Sequence, residues 1–348
     1  MPKSSQPQPP QIPSLATHSF APTSQILMGE KGSRGFLERG FASIALGVAL
    51  VAAGVLLWIG WIILRKALPA IQQFGVGFLT SQDWDVGGLT FGALPYIYGS
   101  LVTSAIALLL ALPVSIAVAL VTGENFLPPW LRSPLAFVVE LIAAIPSVII
   151  GLWGIFTLIP VLQPIQLWLY QHVGQNPWFG YFPFNLISSL FGTEPLGPSM
   201  LVAGVILAIM ILPTISAISR EVLLAIPSEL RTGSVALGAT RWETIFRVLL
   251  PTAASGILGA AMLGLGRALG ETMAVTMVIG NSTLISSSLL NPAYTIPAVL
   301  ANEFAEASEE LHIGALMYLA LILFGLTLVV NIAAVWIVRV LSTNQGRA

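Results

Sequence analysis

The sequence predicts an all-α integral membrane protein with six transmembrane helices. Three observations predict it. Hydrophobic residues make up 56% of the chain and charged residues only 8%, against about 25% charged in an ordinary soluble domain. The mean hydropathy is +0.88. Six apolar stretches each supply the roughly 20 residues that cross about 30 Å of hydrocarbon. The same composition excludes other classes. A net charge of −1 with no basic patch carries no nucleic-acid signal. With no cysteine there is no disulfide, thiolate catalysis or cysteine-ligated metal, and His18, His172 and His312 are too scattered to predict a metal centre.

Residues 1–35 are rich in Pro, Ser and Gln, with Gln6-Pro7-Gln8-Pro9-Pro10 in one run, and read as a disordered cytoplasmic tail. The first apolar run starts only at Phe41, is long enough to span and has no small-residue cleavage site, so it reads as a retained helix and not a secretory signal. Spans are expected at about 41–64, 98–122, 133–160, 199–219, 251–280 and 313–340. Six spans put both termini on one side. Lys3, Lys31, Arg34, Arg39, Arg132, Arg220, Arg231, Arg241, Arg247, Arg339 and Arg347 then share one face, against Arg65 and Lys66 on the other. By the positive-inside rule both termini are cytoplasmic.

The outer connections are acidic or aromatic. Asp83 and Asp85 lie in the first, and Glu303, Glu306, Glu309 and Glu310 in the last. The connection 163–198 carries Trp168, Tyr170, Trp178, Phe179, Tyr181, Phe182 and Phe184. It reads either as an interfacial aromatic belt or as a docking surface for an outer partner.

The loop 220–250 is the one long cytoplasmic connection between spans, and it reads as two short helices around a turn. Ser228 is placed to cap the first helix and Gly238 to end it as a C′ glycine. Thr240 and Glu243 form a T-x-x-E capping box for the second. Trp242, Ile245, Phe246 and Leu249 follow at i, i+3, i+4 and i+7 as one apolar stripe, with Arg241, Glu243 and Arg247 away from it. The unit is expected to be a compact, rigid knob. No phosphate-cradling G-x-x-x-x-G-K-[ST] loop occurs, so any ATP hydrolysis belongs to another chain.

Apart from Arg339 at the end of the last span, only Glu140, Arg267 and Glu271 carry charge within the spans, and a central Arg costs about 2.5–3.5 kcal/mol on insertion scales. Arg267 and Glu271 are four apart, so on a continuous helix they share a face and can pair. Gly266 and Gly270 flank them in G-x-x-x-G spacing, with Gly256, Gly259 and Gly264 earlier, a pattern for close helix approach. The pair reads either as a static lock between helices or as an anion contact, since a guanidinium offers a planar fork to an oxyanion. Glu140 is either a pairing partner or a residue reaching interfacial water. Ile145-Pro146-Ser147 breaks that helix, and a broken helix can line a path with free backbone groups.

Two resemblances follow. Gly238, nine intervening residues and Val248-Leu249-Leu250-Pro251 resemble the signature loop of ABC importer permeases, E-A-A-x3-G-x9-I-x-L-P, although Thr232-Gly233-Ser234 stand where that family usually has Glu-Ala-Ala. Residues 40–340 resemble the PstC-type permease subunit of the bacterial phosphate ABC importer. The matching segments include Gly92-Ala93-Leu94-Pro95, Tyr98-Gly99-Ser100-Leu101, Glu140 through Ser147, Gly151-Leu152-Trp153-Gly154 and, above all, Arg267-Ala268-Leu269-Gly270-Glu271-Thr272.

The resemblance implies a type I ABC importer transmembrane domain over 41–340, and a non-enzymatic permease in the inner membrane. It also implies a PstA-type permease as heterodimer partner, a PstB-type ATPase dimer that binds the ATP, and a PstS-type phosphate-binding protein. It implies a substrate path through Arg267, Glu271, Glu140 and Ser147, and coupling to the ATPase through Gly238, Ala239, Thr240, Arg241, Trp242 and Glu243; no cofactor is expected on this chain. The rival readings are a permease for another oxyanion such as molybdate or sulfate, a secondary transporter or channel that works alone, and a membrane scaffold.

Overall fold

A computed structural model of the chain describes residues 31–124, 126–176 and 185–345, with side chains described outside 31–40, 129, 186 and 337–345. Residues 1–30 of the expected tail, and Trp178, Phe179, Tyr181, Phe182 and Phe184 of the aromatic connection, lie outside the described residues. The chain divides into two compact units, residues 1–59 and 60–348. Helix α1 (Lys31–Phe74) therefore begins five residues inside the stretch read as tail and ends in the second unit.

From there the order is a 3₁₀ turn at Gly75–Leu79, a short hairpin of β1 (Trp84–Asp85) and β2 (Thr90–Phe91), and α2 (Leu94–Gly123). Next come α3 (Pro129–Ile142), α4 (Ser147–Trp153), α5 (Ile159–Leu169), α6 (Asn185–Leu190) and α7 (Met200–Leu224). The chain continues through α8 (Ser228–Ala236), α9 (Arg241–Thr244), α10 (Leu250–Gly270), α11 (Met273–Val278), α12 (Ile296–Glu303) and α13 (Glu310–Gln345). The hairpin pairs Trp84 with Phe91 and Asp85 with Thr90.

Among the described residues six helices are long and apolar enough to span: Phe41–Leu79, Leu94–Gly123, Ser147–Gly174, Met200–Leu224, Arg241–Gly270 and Glu310–Trp336. The number agrees with the sequence reading, and three spans shift: the first runs on past residue 64 to Leu79, and the third and fifth move along the chain. The helix expected over 133–160 is broken, because Pro146 cannot donate to the ladder and disfavours helix at the residue before it. The long helix starts at Ser147 and runs through π turns at Gly154–Leu158 and Tyr170–Gly174. Trp168 and Tyr170, read as connection, are thus helical, with Trp168 stacked on His172 at 4.9 Å. The helix expected over 251–280 instead stops at Gly270.

Helix α7 is the axis of the second unit: 61% of its most apolar window is buried, and no other span exceeds 33%. Lipid tails are as apolar as leucine, so helices associate in a bilayer through close packing of small residues and not through hydrophobic exclusion. Ala107, Ala111, Ala203, Ala260, Ala268 and Ala274 accordingly pack around Ile206, Leu207 and Ile211. At the end of α7 nearest α8 a second cluster joins Ala119, Leu120, Leu223, Ile245, Leu249 and Ile257. At the other end Phe78, Phe91, Tyr96, Tyr294 and Leu316 form a third, over which Trp84 Nε1 donates to Glu303 Oε2 at 2.9 Å and His312 Nε2 lies 3.1 Å from the same oxygen. Glu303 is therefore drawn inward, whereas Asp83, Asp85, Glu306, Glu309 and Glu310 are exposed.

Candidate functional site

The intramembrane charges lie beside two breaks in the helices. After Gly270 the backbone of Glu271 is extended (φ −70°, ψ 126°), and helix resumes only at Met273. Gly has the lowest helix propensity after Pro, and the β-branched Thr272 follows closely. The expectation that Arg267 and Glu271 share a helical face is therefore corrected. Arg267 lies in the last turn of α10 and Glu271 within the break itself, and neither forms an ion pair among the described residues. Arg267 is exposed, and its Nη1 donates instead to Thr214 Oγ1 of α7 at 3.1 Å. Glu271 is half-buried.

The second break, Ala143–Pro146, separates α3 from Ser147 at the start of α4. Helices α4 and α11 pack through small residues. A Cβ at Gly151 would lie 3.0 Å from Ala274 Cα, and one at Gly154 would lie 2.9 Å from Val278 Cγ1. The contacts advance together along both helices, so the first turn of α4, with half-buried Ser147, lies level with the break at Gly270–Thr272. Arg267, Glu271 and Ser147 thus belong to one region. Glu140 lies on α3, one helix earlier, where its Oε1 is 3.7 Å from Nη1 of Arg220.

The glycine spacing divides by role. Gly256 and Gly264 sit so close to Val222 and Ile215 of α7 that an added Cβ would come within 2.5 and 2.7 Å of those side chains. Gly259, Gly266 and Gly270 meet nothing within 4 Å. The G-x-x-x-G pair around Arg267 therefore faces away from this chain's own helices.

The segment 220–250 folds largely as its local signals require. Gly238 has φ +88°, its N–H donates to Val235 O at 2.9 Å and the N–H of Ala239 donates to Ser234 O at 3.1 Å. These two bonds are the Schellman closure, and the left-handed position explains the glycine. The capping box forms in both directions: Glu243 N donates to Thr240 Oγ1 at 3.3 Å, and Thr240 N donates to Glu243 Oε2 at 2.9 Å.

Three expectations change. Ser228 is the first residue of α8 and not its cap, which is Pro227 without a side-chain bond. The second helix is no separate knob, since α9 continues through a π turn at Ile245–Leu249 into α10. The extra residue of that π turn splits the apolar stripe. Ile245 and Leu249 are buried, whereas Trp242 and Phe246 are exposed with ring centroids 5.9 Å apart.

Sequence reasoning missed the clamp that holds this segment. Arg231 donates through Nη2 to Glu124 Oε1 (2.9 Å) and Leu223 O (2.6 Å), and through Nη1 to Ile226 O (2.7 Å). It ties α8 to the end of α2 and satisfies carbonyls that the end of α7 leaves open. Ser234, at the third position of the unusual Thr-Gly-Ser triplet, lies 2.9 Å from Thr244 Oγ1 and links α8 to α9. Around this scaffold α8 exposes Leu230 and Val235, and its C-cap Leu237 is 91% exposed.

Residues 111–344 match the model of the family described as "binding-protein-dependent transport system inner membrane component". The chain is 44% identical over 301 residues to the phosphate transport system permease protein PstC of Xylella fastidiosa, covering 86% of this chain and 88% of that protein. It is 38% identical over 280 residues to the probable phosphate transport system permease protein PstC of Methanocaldococcus jannaschii, covering 79% and 85%. Among solved structures, a bacterial ABC transporter involved in the import of the acidic polysaccharide alginate matches with a TM-score of 0.48 and 18% identity, over 85% of this chain and 98% of that chain.

Proposed function

The chain belongs to the binding-protein-dependent transport system inner membrane components, among the PstC-type permeases, and from that premise we propose that it is one permease subunit of an ATP-driven inorganic phosphate importer. In this reading both termini are cytoplasmic. A PstA-type permease completes the path, a PstB-type ATPase dimer binds and hydrolyses the ATP, and a PstS-type binding protein delivers phosphate to the outer connections. This chain itself needs no cofactor.

The observation that carries the reading is Arg267. It is a guanidinium within a span, exposed in the single chain, tethered among the described residues to the neutral Thr214 hydroxyl and placed beside a break in its helix. A structural lock would bring a carboxylate to it. A neutral tether leaves its charge to attract an oxyanion and most of its fork free to bind one. Gly266 and Gly270, where an added Cβ would meet open space, support a second permease approaching the same face. Glu271, Ser147 and Glu140 line the path with Arg267, and the two breaks supply backbone groups freed from the helical ladder.

On the ATPase side, Gly238, Ala239, Thr240, Arg241, Trp242 and Glu243 form the coupling turn. The Schellman closure, the capping box and the Arg231 clamp make it stiff enough to transmit a push into α10. Arg267→Gln tests the reading. Phosphate uptake by cells falls at least about tenfold, the scale of one charge-assisted hydrogen bond, while membrane abundance is unchanged. Undiminished uptake would overturn the role given to Arg267.

A further inference from the structure

Where the end of α2 meets the start of α10 lies a groove of about 580 Å³. It is lined by Pro113, Ala117 and Leu120 of α2, by Trp242, Phe246 and Leu250, and by Phe126 of the connection after α2. Every residue along it is apolar or aromatic. The π turn shapes one wall, because it leaves Trp242 and Phe246 outside while Ile245 and Leu249 stay in the core. The Trp242 ring lies 5.6 Å from that of Phe126 and 5.9 Å from that of Phe246, so three rings stand together there.

Phe126 also lines a second, more polar cavity of about 220 Å³, which holds Glu124, Arg231 and Arg241. The charges there do not balance. Glu124 is spent on Arg231. Glu243, the nearest carboxylate along the turn, is held by Thr240 and interacts with Arg247. Arg241 forms no hydrogen bond or ion pair among the described residues. A long apolar groove thus ends, past a cluster of aromatic rings, at an unmatched guanidinium.

Depth decides what fits the groove. Helix α2 has 30 residues, about 45 Å, and overhangs about 30 Å of hydrocarbon by roughly 7–8 Å at each end. Pro113 lies about 15 Å before the Gly123 end. The inner half of the groove is therefore in hydrocarbon, which a water-soluble ATPase does not enter, and the outer half is level with the headgroups, where Trp concentrates. The second permease approaches elsewhere, since Leu250 lies about 160° around α10 from both Gly266 and Gly270. An apolar chain joined to an anionic head matches both the groove and its unmatched charge. We propose that the groove is a site for an anionic phospholipid, with one acyl chain lying along α2 and the phosphate bound by Arg241. The proposal does not depend on which ion the chain transports.

The test uses the full chain, purified with the subunits it carries, in phosphatidylcholine nanodiscs titrated with phosphatidylglycerol whose acyl chain bears a photoactivatable diazirine. Saturable labelling of residues 113–127 and 242–250 is expected, whereas phosphatidylcholine with the same diazirine labels them without saturating. Arg241→Gln weakens the phosphatidylglycerol site about fivefold to tenfold, and Arg241→Lys, which keeps the charge, weakens it less. Because Arg241 also belongs to the coupling turn, Ala117→Trp supplies an independent variant. Ala117 is exposed on the α2 wall, so the larger ring fills the groove without entering the core. Saturable labelling is then lost at unchanged thermal stability. Labelling equal for both lipids and indifferent to both substitutions marks an ordinary lipid annulus. A photoreactive residue at position 117 that captures another subunit in place of lipid marks a protein interface. Either result overturns the proposal and leaves the phosphate reading untouched.

Discussion

Thr214 is the residue on which Arg267 turns. It holds one N–H of the guanidinium at 3.1 Å and brings no charge of its own. Thr214→Val keeps the shape and removes the acceptor, so the arginine loses its resting position while keeping its charge. The half-saturating phosphate concentration is expected to rise about threefold to fivefold, the scale of the net contribution of one hydrogen bond, and uptake kinetics check it. Arg231 is the corresponding residue on the coupling side. With its partner Glu124 mostly buried, Arg231→Met leaves a carboxylate and two carbonyls short of donors. Thermal unfolding in detergent should register a loss of about 2 kcal/mol. Little of this was legible in the sequence. Arg231 and Glu124 are 107 residues apart, and nothing local announces their bond. Arg267 and Glu271 stood out as intramembrane charges, but the i, i+4 rule pairs them only if the helix persists, and Gly270 ends it.

At the scale of elements the turn between α8 and α9 was the most legible part of the chain, because its bonds close within three to five residues and depend only on residue type. The left-handed φ of Gly238 and the reciprocal Thr240–Glu243 bonds follow directly from that spacing. Gly238→Ala forces a Cβ into a left-handed position, at about 1–2 kcal/mol. Nothing crowds it there, so the cost is purely conformational. The expected outcome is reduced phosphate-stimulated ATP hydrolysis at normal chain abundance. Leu237→Glu probes the exposed face of α8. A side chain 91% exposed contributes little to folding, so thermal stability stays unchanged while a tagged ATPase no longer co-purifies. The π turn at Ile245–Leu249 escaped the sequence reading, since a stripe at i, i+3, i+4 and i+7 assumes a regular helix throughout.

At the scale of the whole molecule the count of spans was legible and their ends were not. Hydropathy reports which residues avoid water, and apolar runs on both sides of Pro146 and of Gly270 read as continuous although the backbone is broken at each. In the proposed reading those breaks line the path: α7 is the most buried span, while α3–α4 and α10–α11 carry polar and charged residues beside interrupted ladders. One chain supplies one wall of such a path. The account therefore stands most directly on labelled-phosphate accumulation in proteoliposomes that contain this chain with its permease partner and ATPase. It predicts accumulation that requires ATP and collapses when Arg267→Gln replaces the native chain at equal abundance. Accumulation by this chain without ATP or the ATPase, or ATP-driven uptake indifferent to Arg267, would contradict it.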